Sequence, residues 1–151
     1  MEKIIKIKIL NKKIKKKLIP KYQTSGAAGL DLRACIDEEI ELKPKKDVII
    51  KSGISIYIKN KNIAAILIPR SGLSIKHGII LKNSIGLIDS DYQGEIIISL
   101  FNNSKNSYFI KPIERIAQIV FIPIIKIKFD FVKEFSLSKR GEKGFGHSGR
   151  N

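Results

Sequence analysis

The run Ile5-Lys6-Ile7-Lys8-Ile9, near the beginning of the chain, alternates apolar and charged residues. Successive side chains of a β-strand point to opposite faces, so this run predicts a strand with one buried and one hydrated face. The same rhythm predicts further strands around residues 40–42, 48–51, 54–58, 64–68, 95–101, 108–110, 116–122 and 124–131. Many short strands separated by turn residues are typical of a sandwich or a closed barrel.

Length and composition agree with one small all-β domain. The 151 residues suffice for a single core, and the hydrophobic fraction of 43% comes largely from isoleucine, which packs well on a pleated sheet. Only residues 71–77 predict a helix, which Gly78 can end in the left-handed conformation. The glycine-rich segment 139–151 is either a disordered tail or an arm that becomes ordered over another surface.

The chain is strongly basic, with 29 Lys and Arg residues against 14 Asp and Glu residues and a net charge of +15. Such a charge suits nucleic acid, an acidic membrane surface or a phosphorylated small substrate. Alternatively, the lysines merely fill solvent-facing positions opposite isoleucine, and the run at residues 12–17 then forms a solvated loop. The charge by itself does not choose among these partners.

Cys35 is the single cysteine, which excludes a disulfide within the chain and a multi-cysteine zinc site. A reducing compartment agrees with this composition. Charged residues among the first six positions interrupt the apolar region that a signal peptide would need. No apolar run approaches the roughly 20 residues of a membrane span. We therefore expect a soluble, cytoplasmic protein with no membrane partner.

Five polar stretches, most of them containing glycine, interrupt the predicted strands. Glycine lets main-chain N–H groups approach an anion closely, so such stretches suit phosphate or metal binding. They cover residues 27–34, 69–74, 83–95, 115–118 and 140–149.

The first two stretches each allow a functional and a structural interpretation. Asp31 lies within an apolar strand, where its charge needs a partner, and an ion pair with Arg33 or Arg115 is the structural alternative. In the second stretch, Arg70 and the free N–H groups at the start of the helix can converge on phosphate oxygens. The alternative there is a helix cap made by Ser71.

The third and fourth stretches concentrate polar side chains. Residues 83–95 predict a hairpin that carries two acids, an aromatic residue and an amide, a composition that a plain turn would also explain. Arg115 and Gln118 are expected on opposite faces of the strand that follows.

In their order and spacing, the five stretches resemble the signature motifs of the trimeric dUTP pyrophosphatase (dUTPase) family, from Ala27 to Gly149. The resemblance implies an all-β jelly roll or distorted barrel over residues 1–138, with one short helix. It also implies that residues 139–151 form a flexible arm closing over an active site. A homotrimer with its active sites at the subunit interfaces is expected, with no need for nucleic-acid binding.

The resemblance also implies an activity. The family hydrolyses dUTP to dUMP and pyrophosphate with Mg²⁺ as cofactor, which limits uracil incorporation into DNA and supplies dUMP for thymidylate synthesis. Asp89 matches the acid that holds or activates the water attacking the α-phosphorus. Gln118 and Arg140 match further catalytic contacts to the phosphates, and Asp31 matches the residue that supports the metal through water.

Substrate-binding residues follow from the same comparison. Phosphate contacts are expected from the turn at the helix start and from the arm, and uracil is expected in a pocket that rejects cytosine by its hydrogen bonds and thymine by its methyl group. Tyr92 matches the residue that packs against deoxyribose and clashes with a 2′-hydroxyl, and Phe145 the residue that stacks on uracil. The full set of substrate-binding residues is Arg70, Ser71, Gly72, Asn83, Leu87, Ile88, Tyr92, Ile97, Phe145, Gly146 and Ser148.

Two positions depart from the common family pattern. Ile113 follows Pro112 where glycine is usual, and because β-branched residues resist positive φ, a type I turn is expected there. Lys143 replaces a frequent glycine in the arm. Either its backbone must take positive φ, so that closure of the arm costs about 1 kcal/mol, or it simply adds a cation near the phosphates.

Two rival functions remain. A dCTP deaminase shares the fold and would release ammonia from dCTP, but Asp89, Tyr92 and the arm with Phe145 favour the pyrophosphatase. A jelly-roll module that binds nucleic acid through its +15 charge would show salt-dependent affinity and no turnover. That module leaves the ordered polar motifs unexplained.

Overall fold

The computed structural model describes residues 3–144. Over this range the chain forms ten strands, one short α-helix and a 3-10 turn at Lys16–Leu18. The helix α1 spans Ser71–His77. The strands are β1 (Lys6–Ile9), β2 (Leu30–Arg33), β3 (Ile40–Leu42), β4 (Asp47–Tyr57), β5 (Ile63–Pro69), β6 (Ile79–Leu81), β7 (Gly86–Ile88), β8 (Glu95–Asn102), β9 (Tyr108–Ile110) and β10 (Arg115–Pro123).

All strand pairs are antiparallel, and they form two four-stranded sheets and one two-stranded sheet. The first sheet has the order β1-β4-β8-β6, the second β2-β10-β5-β7 and the third β3-β9. A single hydrophobic cluster joins buried side chains of the two larger sheets, such as Ile98 of β8 and Ile119 of β10. The predicted all-β jelly roll is confirmed, as a sandwich whose described strands form separate sheets and not one closed barrel.

Strand β4 replaces two predicted strands. The runs at 48–51 and 54–58 form one strand with a register shift between Lys51 and Ser55. Gly53 lies in this bulge with φ of +74°, a conformation that favours glycine. A Cβ atom at this position would also lie 2.7 Å from both the Cys35 sulfur and the Ile14 side chain. The bulge therefore requires glycine.

Two apolar alternations are not buried as the sequence predicts. The strand predicted at 124–131 is wrong, because β10 ends at Pro123 and the residues that follow pair with no strand in the described part of the chain. Strand β1 forms as predicted, but Ile7 and Ile9 are each 42% exposed. An alternating pattern encodes a strand face, and whether that face is covered depends on a partner elsewhere.

The lysine-rich run at 12–17 is a loop at the surface, as predicted, but with one exception. The side chain of Ile14 is only 3% exposed and belongs to the hydrophobic core. This single apolar residue anchors the loop.

The predicted helix at 71–77 is confirmed, together with its end at Gly78. Gly78 has φ of +69°, and its N–H donates to the carbonyls of Leu73 and Ser74. At the other end the N-cap is Arg70 and no side chain caps the helix, so the alternative of a cap made by Ser71 is wrong.

The turn before β10 also differs from its prediction. Ile113 has φ of +64°, and the Glu114 N–H donates to the Lys111 carbonyl at 3.1 Å, so the expected type I turn is wrong. The Ile113 N–H donates to the Ala34 carbonyl at 2.8 Å, and the Ile113 carbonyl accepts from Arg33 at 2.9 Å. These long-range bonds hold a conformation that the isolated turn would avoid.

Among the described residues, no helix is long and apolar enough to cross a membrane.

Candidate active site

A buried carboxylate organises the first polar cluster. Asp31 in β2 is only 5% exposed. Its Oδ1 accepts from Arg70 Nε at 2.9 Å and from Gln118 Nε2 at 3.4 Å, and its Oδ2 accepts from Arg115 Nη1 at 3.0 Å. The ion pair of Asp31 with Arg115 therefore forms, whereas Arg33 donates to a backbone carbonyl instead.

The cluster depends on a bulge that the sequence does not reveal. Arg115 and Gln118 were expected on opposite faces of β10, but both side chains contact Asp31. The register of β10 against β2 shifts between Arg115 and Ala117. The extra residue of a bulge reverses the alternation, which turns both side chains to the same carboxylate and makes the expectation wrong.

The start of α1 lies beside this cluster. Arg70, the N-cap residue, bonds to Asp31 and also donates through Nη1 to the Arg115 carbonyl at 3.2 Å. Ser71 and Gly72 are exposed, and as the first residues of the helix their N–H groups have no intrahelical acceptor. Two main-chain donors thus lie within two residues of a guanidinium that Asp31 holds in place.

Tyr108 and Glu114 form a further polar pair at the turn that precedes Arg115, and sequence reasoning missed both. The Tyr108 hydroxyl donates a short hydrogen bond to Glu114 Oε1, and the Lys111 N–H donates to Oε2 at 2.9 Å. The Tyr108 ring lies 5.1 Å from the His77 ring at the end of α1. Burial, followed by the Glu114 carboxylate, raises the pKa of Tyr108 well above its usual range. The position of Glu114 next to Arg115 was the only available signal.

A second group of candidate residues lines a separate pocket of about 200 Å³. Six of the residues expected to contact base, sugar or water lie here together. The lining is Leu67, Asn83, Gly86, Leu87, Ile88, Asp89, Tyr92, Ile96 and Ile97.

The pocket forms where the chain crosses between sheets. The hairpin predicted at 83–95 is wrong, since β7 pairs with β5 whereas β8 pairs with β4 and β6. The connecting loop carries Asp89, which is exposed, and its carbonyl accepts from the Tyr92 N–H at 3.2 Å. The crossing leaves an opening between the sheets with this carboxylate at its edge.

The two groups belong to different edges of one sheet. Asp31 lies on edge strand β2, and the pocket is built around edge strand β7, with β10 and β5 between them. At about 4.8 Å per strand, three intervals separate these edges by roughly 14 Å. Asp89 therefore does not join the Asp31 cluster within one chain.

Arg140 joins neither group in the described structure. Its Nε donates to the Lys143 carbonyl at 3.0 Å, within the arm. Gly141 has φ of +56°, whereas Lys143 does not have positive φ in the described structure. Phe145, Gly146 and Ser148 lie outside the described residues.

The donor set for a metal ion is limited. Among residues 3–144, no group of three or more His, Cys, Asp or Glu side chains is suitably placed. Asp31 Oδ1 accepts two hydrogen bonds and Oδ2 accepts one, which leaves this carboxylate little acceptor capacity for direct coordination. The described residues do not fit an ion held by the protein alone.

Comparisons with known proteins show which family the chain resembles over its length. The dUTPase family model matches residues 15–149. The deoxyuridine 5′-triphosphate nucleotidohydrolase of Shigella flexneri is 50% identical over 151 residues, covering 99% of each chain. A mutant dUTPase of Staphylococcus bacteriophage 80alpha with dUpNHpp has a TM-score of 0.84 and 29% identity, covering 97% of this chain and 98% of that chain. A mutant dUTPase of phage phi11 of S. aureus has a TM-score of 0.78 and 22% identity, covering 89% of this chain and 99% of that chain, which shows the fold alone. Coordination of a structural Mg(II) ion is described for that phage protein.

The jelly-roll fold and these relatives define the class, a hydrolase of nucleoside triphosphates. The chain belongs to the dUTPase family. Its activity is that of a dUTP diphosphatase, in nucleotide metabolism.

Proposed function

We propose that this dUTP diphosphatase uses Asp89 to activate water for attack on the α-phosphorus, at sites shared between the copies of a homotrimer. The products are dUMP and pyrophosphate. The observation that carries this proposal is the pocket in which Asp89 and Tyr92 lie together with Asn83, Leu87 and Ile97.

The pocket suits uracil and deoxyribose. Leu87 and Ile97 offer exposed apolar surface on which a base can pack, at 65% and 45% exposure. The Asn83 amide and the backbone of the loop can meet the donor and acceptors of uracil, whereas cytosine would leave some of these groups unpaired. Tyr92 lines the same pocket and would exclude a 2′-hydroxyl.

Asp89 is the proposed base for the reaction. Its carboxylate is exposed at the edge of the pocket, where a water molecule has access. A positioned base of this kind contributes roughly 10²–10⁴-fold to a rate. Phosphoryl transfer otherwise depends on positioning and on charge stabilisation, which the cationic groups supply.

The phosphates are proposed to bind at the Asp31 cluster and the start of α1. The amides of Ser71 and Gly72 donate hydrogen bonds, and Arg70 supplies charge while Asp31 fixes its orientation. Gln118 adds a polar contact. In this assignment Asp31 acts by holding the arginines in place. It would affect a metal ion only through a water molecule.

Mg²⁺ is proposed to accompany the substrate. Bound to the triphosphate, the ion would neutralise charge on the phosphate oxygens. Because no described carboxylate group can hold the ion alone, its affinity for the free protein is expected to be low.

Sharing of sites between copies is supported by the separation of the two groups on edges β2 and β7. It is also supported by the segment after β10, which exposes a large apolar surface. Four alternate side chains there are each at least 72% exposed, namely Ile125, Ile127, Phe129 and Phe131. Assembly would bury this surface and bring the pocket of one copy to the cluster of another.

Residues 139–151 are proposed to form the arm that closes a site of this kind. The arm supplies Arg140 and Ser148 to the γ-phosphate. Phe145 stacks on uracil, and Gly146 adds a further substrate contact. The cell would thereby keep uracil out of DNA and obtain dUMP, and the +15 charge needs no nucleic-acid partner.

The test of the reaction is pyrophosphate release from dUTP, compared with dCTP, dTTP and UTP, with and without Mg²⁺. We expect fast release from dUTP in the presence of Mg²⁺ and little from the other nucleotides. Ammonia from dCTP without pyrophosphate from dUTP would replace the proposal by a deaminase.

The test of site sharing is complementation between two inactive chains. Asp89→Asn chains are mixed with chains truncated before Arg140, each with a different affinity tag. A mixed trimer contains some sites with an intact Asp89 and an intact arm, so partial activity is expected. Mixed trimers that are isolated through both tags yet remain inactive refute the shared site.

A further inference from the structure

The loop that carries Tyr92 folds back on itself through a hydrogen bond of the tyrosine side chain. The Tyr92 hydroxyl donates to the Glu95 carbonyl at 2.9 Å. The side chain is nevertheless 43% exposed, so packing alone holds the ring only in part. Its position therefore depends on the residues that the hydroxyl and the ring edge touch.

Gly94 provides the space for this ring. A Cβ atom at Gly94 would lie 2.3 Å from the Tyr92 hydroxyl oxygen, 2.6 Å from Cζ and 2.9 Å from Cε2, closer than non-bonded atoms can approach. Gly94 does not have positive φ, so its backbone conformation suits alanine. Glycine is needed at this position for room, and the atoms in conflict all belong to one side chain.

Glu95 fixes the other partner of the hydrogen bond. Its side chain is 19% exposed and lies 3.6 Å from Lys51 Nζ. The Gly53 N–H, in the bulge of β4, donates to Glu95 Oε1 at 2.9 Å. The carbonyl that receives the Tyr92 hydroxyl therefore belongs to a residue anchored to the neighbouring strand.

We propose that Gly94 and Glu95 are positioning residues for sugar specificity, because together they hold the Tyr92 ring where a ribose 2′-hydroxyl would collide with it. This inference rests on the proposed function, in which Tyr92 faces the sugar. A ring that excludes one hydroxyl group must be held within a fraction of an ångström, since a displaced ring leaves room for the extra oxygen. Neither residue needs to touch the nucleotide.

The first test is Gly94→Ala, with kcat/KM measured for dUTP and for UTP by pyrophosphate release. The ratio of the two values is expected to fall at least tenfold, mainly through faster hydrolysis of UTP, while the urea midpoint changes little. Gly26→Ala is the matched control, since a Cβ atom there has no neighbour within 4 Å. Unchanged selectivity in a folded Gly94→Ala enzyme overturns the inference.

A double-mutant cycle separates displacement of the ring from a general disturbance. Once Tyr92→Ala has removed the ring, adding Gly94→Ala is expected to change the selectivity no further. An equal loss of selectivity in both backgrounds would show that Gly94 acts independently of Tyr92, contrary to the inference.

Glu95 supplies a second line of test that needs no change at Gly94. Glu95→Gln keeps an oxygen acceptor for the Gly53 N–H and should preserve selectivity, whereas Glu95→Ala should lower it several-fold. Equal selectivity in the two variants contradicts the anchoring role. If the unmodified enzyme fails to hydrolyse dUTP, the proposed function fails; if it hydrolyses dUTP and Gly94→Ala retains full selectivity, only this inference fails.

Discussion

Replacing Asp31 by asparagine should be among the more costly isosteric changes in the chain. Asp31 is 5% exposed and accepts from two guanidinium groups, at 2.9 and 3.0 Å. Hydrogen bonds to charged groups contribute about 1.5–3 kcal/mol each, which sets an upper range of about 3–6 kcal/mol. The side chains of Arg70 and Arg115 are 29% and 39% exposed, so water can solvate them again and roughly halve the loss. We expect the free energy of unfolding to fall by about 1.5–3 kcal/mol.

Urea unfolding at a fixed protein concentration measures this change, because the stability of an oligomer depends on concentration. The matched control is Asp37→Asn, whose side chain is 84% exposed in its ion pair with Lys13, and it should lose less than about 1 kcal/mol. A loss at Asp31 no larger than the loss at Asp37 would refute the reasoning. It would mean that the two arginines find equivalent partners without the carboxylate.

The same variant separates two roles of Asp31. If Asp31 acts by orienting Arg70, the activity of Asp31→Asn should be low at every Mg²⁺ concentration. If Asp31 instead supports the metal through water, high Mg²⁺ should restore much of the activity. A titration of pyrophosphate release against Mg²⁺ distinguishes these outcomes.

Three further predictions follow from single residues. Asp89→Asn should bind nucleotide with little change while kcat falls at least about 100-fold, and an active variant would contradict the assignment of the base. Because the pKa of Tyr108 is raised, its contribution to stability is complete below about pH 10 and is lost as the pH rises further, since the unfolded tyrosine then loses its proton first. The difference in unfolding free energy between wild type and Tyr108→Phe should therefore shrink between about pH 9 and 11. A difference in urea unfolding that stays constant over this range would contradict the prediction. Lys59→Gly should stabilise the fold by up to about 1 kcal/mol because Lys59 has φ of +64°, whereas Lys61→Gly, at a position without positive φ in the same turn, should not.

The candidate site was predictable as a set of residues and not as an arrangement. The five polar stretches supplied Asp31, Arg70, Asp89 and Gln118 as candidates, since each lies in a recognisable local pattern. Their division into a cluster and a separate pocket follows from strand order, which no local pattern encodes. No local pattern marks Tyr108, because its partner Glu114 lies in the turn after its strand and its contact with His77 joins separate elements of the fold.

The sequence by itself determined the strand periodicity, the helix at 71–77 and the end of that helix at Gly78. Side-chain alternation and the left-handed preference of glycine both act over a few residues, so a local pattern suffices for them. The tertiary structure alone decided that the apolar run at 124–131 has no strand partner in the described chain. It also decided that Ile113 takes positive φ, and that a bulge turns Arg115 towards the same carboxylate as Gln118. For Ile113 and Arg115 the deciding hydrogen bonds join distant parts of the chain, such as the bond from Arg33 to the Ile113 carbonyl and the bond from Arg115 to Asp31. Their energy exceeds the local preferences against which they act.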